Sequence, residues 1–163
     1  MKIFFLRHGL AGDRTEWKGD DAKRPLTDEG IEKMKRIAAA LAALDLGLDV
    51  IVTSPLVRAK QTAEIVAHTL GAPLTEDARL APGFNAEQLR ALLLDHPDAR
   101  AVMVVGHEPD FSETISALIG GGRIVCRKGS VALVDLPDVS SRRAELVWLV
   151  PPKVLARSES HLP

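Results

Sequence analysis

Two histidines and two arginines carry the chemistry on offer in this 163-residue sequence. Arg7 and His8 end the apolar run Ile3, Phe4, Phe5, Leu6 and are followed by Gly9. Arg58 lies inside the segment SPLVRAKQTA, and His107 and Glu108 follow the run AVMVVG. An imidazole is a nucleophile or proton carrier near neutral pH, and a guanidinium presents fixed donors that match phosphate oxygens. Gathered in one place, these groups make an anion site with a nucleophile in it.

Singly, each has an ordinary reading. An arginine in a first helical turn is a solvated side chain, and a histidine after a strand is a hydrogen-bonded structural residue. What outweighs those readings is their joint occurrence at three separate strand ends. In open α/β sheets ligands bind beyond the carboxyl ends of the strands, beside helix N-termini that favour anions.

The elements that must position these residues follow from periodicity. Short apolar runs alternate with helical patterns, which predicts an α/β domain with a mostly parallel central sheet. Strands are expected at 2–6, 49–54, 101–106, 123–126, 130–136 and 144–150. Helices are expected at 28–44 with Thr27 as N-cap, at 85–95 and at 110–119. A further helix is expected to start with Ser54 as N-cap and Pro55 in its first turn, and to end at Gly71. One domain spans 1–152, and an extended tail from Pro151 ends in a disordered RSESHLP.

Composition bounds the partners. The net charge is −1, with 46% apolar and 26% charged residues, so neither a nucleic-acid face nor a membrane anchor is expected; Arg142-Arg143 is a local basic pair. The first apolar run is too short for a signal peptide, nothing approaches a membrane span of about 20 residues, and the single Cys126 cannot form an internal disulfide. A cytoplasmic protein without a cofactor is the expectation.

LRHG, SPLVRAKQTA and VVGHEPD, in this order, resemble the motifs of the histidine phosphatase superfamily, also called phosphoglycerate mutase-like. The short length, DDAKRPLTDEG and LVWLVPPKVL look most like the small bacterial phosphohistidine phosphatases of the SixA type. The resemblance implies a three-layer α/β/α sandwich. It also implies a metal-independent phosphatase in which His8 attacks phosphorus and forms a phosphohistidine that water hydrolyses. Arg7, Arg58 and His107 would clamp the phosphoryl oxygens, with Glu108 at the phosphate site and Gly9 allowing close backbone approach. Cationic Arg7 and Arg58 would keep His8 neutral.

Larger members carry a glutamate in the loop where this chain has Ala81. Asp21 matches an aspartate of the SixA type, where it would supply a proton or orient water; membership of a solvated acidic loop with Asp13, Glu16 and Asp20 is the other reading. A site lacking the glutamate suits a phosphoramidate, because imidazole leaves more easily than an alkoxide. The expected partner is a phosphorylated substrate, a phosphohistidine protein among the candidates. Its docking surface would lie around loop 10–26, unless Trp17 packs that loop down.

Other classes fare worse. Position 132 is Ala where a cysteine phosphatase led by Cys126 needs Arg, and GGGRIVCRKGS lacks P-loop spacing. GHEPD has no second metal-ligand motif, while His68, His96 and His161 read as surface residues. Two alternatives stay open: a broad-specificity small-molecule phosphomonoesterase, and a non-catalytic phosphate- or phosphoprotein-binding module.

Overall fold

The computed structural model describes residues 1–141 and 143–157. Arg142 and 158–163, with His161 and most of the RSESHLP end, lie outside the described residues. Six strands form one sheet: β1 Lys2–Arg7, β2 Val50–Thr53, β3 Leu74–Glu76, β4 Ala101–Gly106, β5 Val131–Asp135 and β6 Glu145–Val150, in the order β3-β2-β4-β1-β5-β6. Neighbours from β3 to β1 pair in parallel, and β5 runs antiparallel to both β1 and β6.

Alternation along the strands builds two cores. On one face Ile3, Phe5, Val52 and Val104 pack with Leu89 and Leu92 of α3 (Ala86–Leu94) and Phe111 and Ile115 of α4 (Asp110–Leu118). On the other, Phe4, Leu6, Ile51 and Met103 pack with Met34, Ile37 and Leu41 of α1 (Asp28–Ala43) and Ala63 and Val66 of α2 (Val57–Leu70). This is the three-layer α/β/α sandwich, with β1 and β4 covered on both sides as parallel strands must be.

Thr27 caps α1 by accepting from the Gly30 N–H at 3.0 Å, and Gly71 ends α2 at φ 65°. Four expectations are corrected. The N-cap of α2 is Leu56, without a side-chain bond, because the Ser54 hydroxyl is turned to another partner described below. Segment 123–126 is irregular, its apolar Ile124 and Cys126 filling gaps beside α4 without a strand to pair with. Strand β3 escapes a pattern-based reading because its three residues are all exposed. The chain after Pro151 is not extended: Pro152–Leu155 form a short helix, α5, that buries Leu155 in the second core. Among the described residues no helix is long and apolar enough to cross a membrane.

Candidate active site

The sheet brings the separated motifs together. Arg7 at the end of β1 pairs in register with Gly106 at the end of β4, so His8 and His107 leave adjacent strands side by side. Their rings lie 5.3 Å apart, centre to centre, tilted by 54°, and both residues are buried. The β2–β4 ladder extends one bond further, Ser54 N–H to the Val105 carbonyl at 3.0 Å, and delivers α2 with Arg58 in its first turn. Arg7, His8, Arg58 and His107 line one cleft.

His8 is fixed by its own backbone. Its Nδ1 lies 2.8 Å from the Gly9 carbonyl, which can only accept, so Nδ1 carries the proton and Nε2 keeps a bare lone pair. Burial is the main force holding the ring neutral, its pKa pushed down to about 3, with His107, Arg58 and Arg7 adding to the effect. The two arginines expected to do this are secondary to burial. His107 is lowered to about 4, again by burial first and then by Arg58.

The donors around the cleft are only partly used. Arg7 donates to the Cys126 carbonyl at 2.8 Å, and Arg58 donates to the Asp21 carbonyl at 2.9 Å and its carboxylate at 3.1 Å. Among the described residues Nε of Arg7, Nε of Arg58 and Nδ1 of His107 are buried without a hydrogen-bond partner. Buried polar atoms without partners are costly, and the two guanidinium N–H groups among these three are donors that an anion would satisfy.

Asp21 sits differently from a proton donor. It accepts from Arg24 Nε at 2.9 Å and from Arg58, and the Arg24 bond leads the effects holding its carboxyl below the usual range. A carboxylate so held keeps its charge and orients Arg58. Glu108 lines the cleft, but both carboxylate oxygens accept from Ser112, one from its backbone N–H at 3.0 Å and one from its hydroxyl.

Gly9 has a packing reason beside the expected one. Its N–H donates to the Thr62 hydroxyl at 3.0 Å, and a Cβ there would lie 2.6 Å from Cγ of Met34. A side chain there would have to displace Met34 of α1. Thr62 in turn donates to the Arg58 carbonyl at 2.7 Å, tying the histidine loop to the arginine helix.

Sequence reasoning missed four contributors. Ser54 and Thr62 are buried hydroxyls inside a segment noticed for its arginine. Arg24 is buried and also donates to the Gly12 carbonyl at 2.6 Å; its place beside Asp21 in DDAKRPLT was the available signal. Lys128 enters the cleft from the turn before β5, where Gly129 (φ 80°) donates to the carbonyls of Arg7 and His8. Trp17 is neither core nor fully open: it is 38% exposed and donates to the Asp20 carbonyl at 3.0 Å. His68 is exposed and His96 half-buried. Cys126 is buried, and desolvation pushes its thiol up to about 11, which keeps it unreactive. Among the described residues no group of three or more His, Cys, Asp or Glu side chains is placed to hold a metal ion.

Residues 3–82 match the histidine phosphatase superfamily (branch 1). An uncharacterised protein of Picosynechococcus sp. is 41% identical over 125 residues, 74% of each chain. The phosphohistidine phosphatase SixA of Escherichia coli is 28% identical over 125 residues, 74% of this chain and 76% of that one. The solved structure of the protein histidine phosphatase SixA with tungstate superposes with a TM-score of 0.84 at 27% identity, covering 95% of this chain and 99% of that one. With the strand order and the histidine pair already in hand, these likenesses place the chain in the histidine phosphatase superfamily, as a hydrolase with the SixA-like form of the fold.

Proposed function

We propose that this chain is a metal-independent phosphatase that works through a phosphohistidine at His8 and acts on phosphohistidine in a protein. The observation that carries the reading is the bare Nε2 of a buried, neutral His8 beside guanidinium donors. Nε2 attacks phosphorus while the bond to the leaving group breaks. Arg7, Arg58 and His107 take the charge on the equatorial oxygens, the work a metal does in other phosphatases. Water then attacks the phosphohistidine, its proton passing to the phosphate, and the electron pair of the N–P bond returns to His8.

The choice of phosphohistidine rests on leaving-group chemistry. Asp13 and Asp21 both line the cleft and are both held below the usual carboxylate range, Asp13 by the Thr15 hydroxyl first and Asp21 by Arg24 first. Glu108 is engaged by Ser112, and Ala81, by the resemblance to the superfamily, takes the place of a glutamate in its larger members. Among the described residues no carboxylic acid is left free to protonate an alkoxide, and Lys128 is the one side-chain ammonium lining the cleft. A phosphohistidine protonated on its second nitrogen departs as neutral imidazole and needs no acid. The SixA relative, named a phosphohistidine phosphatase, supports the same choice.

The test is turnover of a phosphohistidine-bearing protein and of p-nitrophenyl phosphate, with and without chelator, with His8→Ala as control. Turnover that survives chelation, vanishes in the variant and favours phosphohistidine is expected. Faster hydrolysis of unactivated sugar phosphates would overturn the substrate choice, and loss of activity on chelation would overturn metal independence.

A further inference from the structure

Ser54 has no role in the reading above, yet it is completely buried behind His107, with Oγ 2.7 Å from Nε2 of that ring. The same oxygen accepts from the Leu56 N–H at 3.3 Å. One lone pair is therefore spent, and the hydroxyl proton needs an acceptor. Among the described residues the only acceptor in reach of Oγ is Nε2 of His107.

We propose that Ser54 is a positioning residue that donates to Nε2 of His107 and so fixes the proton of that ring on Nδ1, the atom left to donate to the phosphoryl group. The proposal rests on the reading of the cleft as a phosphoryl site. It accounts for two facts together. It gives the serine proton a destination, and it makes the buried, unpartnered Nδ1 a donor. The opposite arrangement, Nε2–H donating to Ser54, strands the hydroxyl proton and leaves Nδ1 a bare lone pair, which an anionic oxygen cannot use.

The consequence is a division of labour between two rings in the same protonation state. In His8 the Gly9 carbonyl takes the Nδ1 proton, and the ring offers the lone pair of Nε2. In His107 the serine takes the lone pair of Nε2, and the ring offers Nδ1–H. A nucleophile and a donor are thus made from one side-chain type by one neighbouring atom each. The neutrality of both rings near pH 7, which burial secures, leaves the neighbour to decide the tautomer.

The experiment is long-range proton–nitrogen NMR of the imidazoles at pH 7 in the full chain, with His107 assigned by the signals lost in His107→Gln. The expected result is a protonated Nδ1 and a pyridine-like Nε2. In Ser54→Ala the ring should pass to a mixture of tautomers, and kcat/KM on phosphorylated substrate should fall about tenfold to a hundredfold. Ser54→Thr, which keeps a hydroxyl, should restore the wild-type tautomer. A protonated Nε2 in the wild-type protein overturns the proposal, and so does an unchanged tautomer in folded Ser54→Ala, whatever its activity. If the tautomer is as expected but the wild-type protein turns over no phosphorylated compound, the proposal stands and the phosphatase reading falls.

Discussion

The imidazoles of His8 and His107 lie 5.3 Å apart at the ends of two adjacent parallel strands, both buried and both depressed in pKa, to about 3 and about 4. Ordinary histidines would be largely protonated at pH 5.5, whereas these stay neutral. Phosphorylation of His8, followed in a single turnover and corrected for substrate ionisation, should hold its rate from pH 7 down to about 5. A drop centred near pH 6.5 would show that His8 titrates like an exposed ring.

The same shifts act on stability, with the sign set by the unfolded chain. Between the folded values and the unfolded value of 6.5, the unfolded state binds more protons, so stability falls as pH falls from 6.5 toward 4. Each ring contributes up to about 1.4 kcal/mol per pH unit. Thermal unfolding across that window should show Tm declining, and His107→Gln should flatten the decline.

Asp21 and Arg58 separate an orienting role from an acid role. Asp21→Asn should lower kcat/KM roughly tenfold, the loss of a partly exposed charged hydrogen bond. The loss should be equal for activated and unactivated leaving groups. A larger loss for poor leaving groups, measured on a series of aryl phosphates, would make Asp21 the acid after all.

Gly9→Ala should destabilise the fold by about 1–3 kcal/mol, since its Cβ would meet Cγ of Met34 at 2.6 Å. Paired with Met34→Ala in a double-mutant cycle, the two costs should fall short of additivity. Additive costs by denaturant unfolding would point back to a demand made by phosphate.

Thr62→Val keeps the shape but removes the hydroxyl that joins Gly9 to Arg58. The stranded, buried Gly9 N–H should cost about 1–3 kcal/mol. Because the bond ties His8 to Arg58, kcat/KM should fall as well; a stability loss at unchanged kcat/KM would confine Thr62 to the fold.

What the sequence disclosed and what it hid differ in physical origin. Strands β1 and β4 are continuous apolar runs with chemical residues at their ends, so Arg7, His8 and His107 were legible together with the sheet that carries them. Ser54 misled for a specific reason. Ser-Pro ahead of a helical pattern is a capping signal, and only the three-dimensional approach of His107 shows that the hydroxyl is already taken. Lys128 comes from a turn whose place over the cleft depends on β5 pairing with β1, a long-range fact with no local trace. The packing of Gly9 against Met34 was not legible, since a glycine in sequence does not say which neighbour lies against it.

Strand order also sets a timetable. His8 emerges early in synthesis, but its backbone and ring are enclosed only once β4 and the turn at Gly129 arrive, about 120 residues later. At 5–20 residues per second that is roughly 6–25 s on the ribosome. During that interval His8 lacks the neighbours that bury it in the finished fold. The segment matching the family, 3–82, ends before either closing element, so a chain released there would carry the signature of the superfamily without the paired histidines of the cleft.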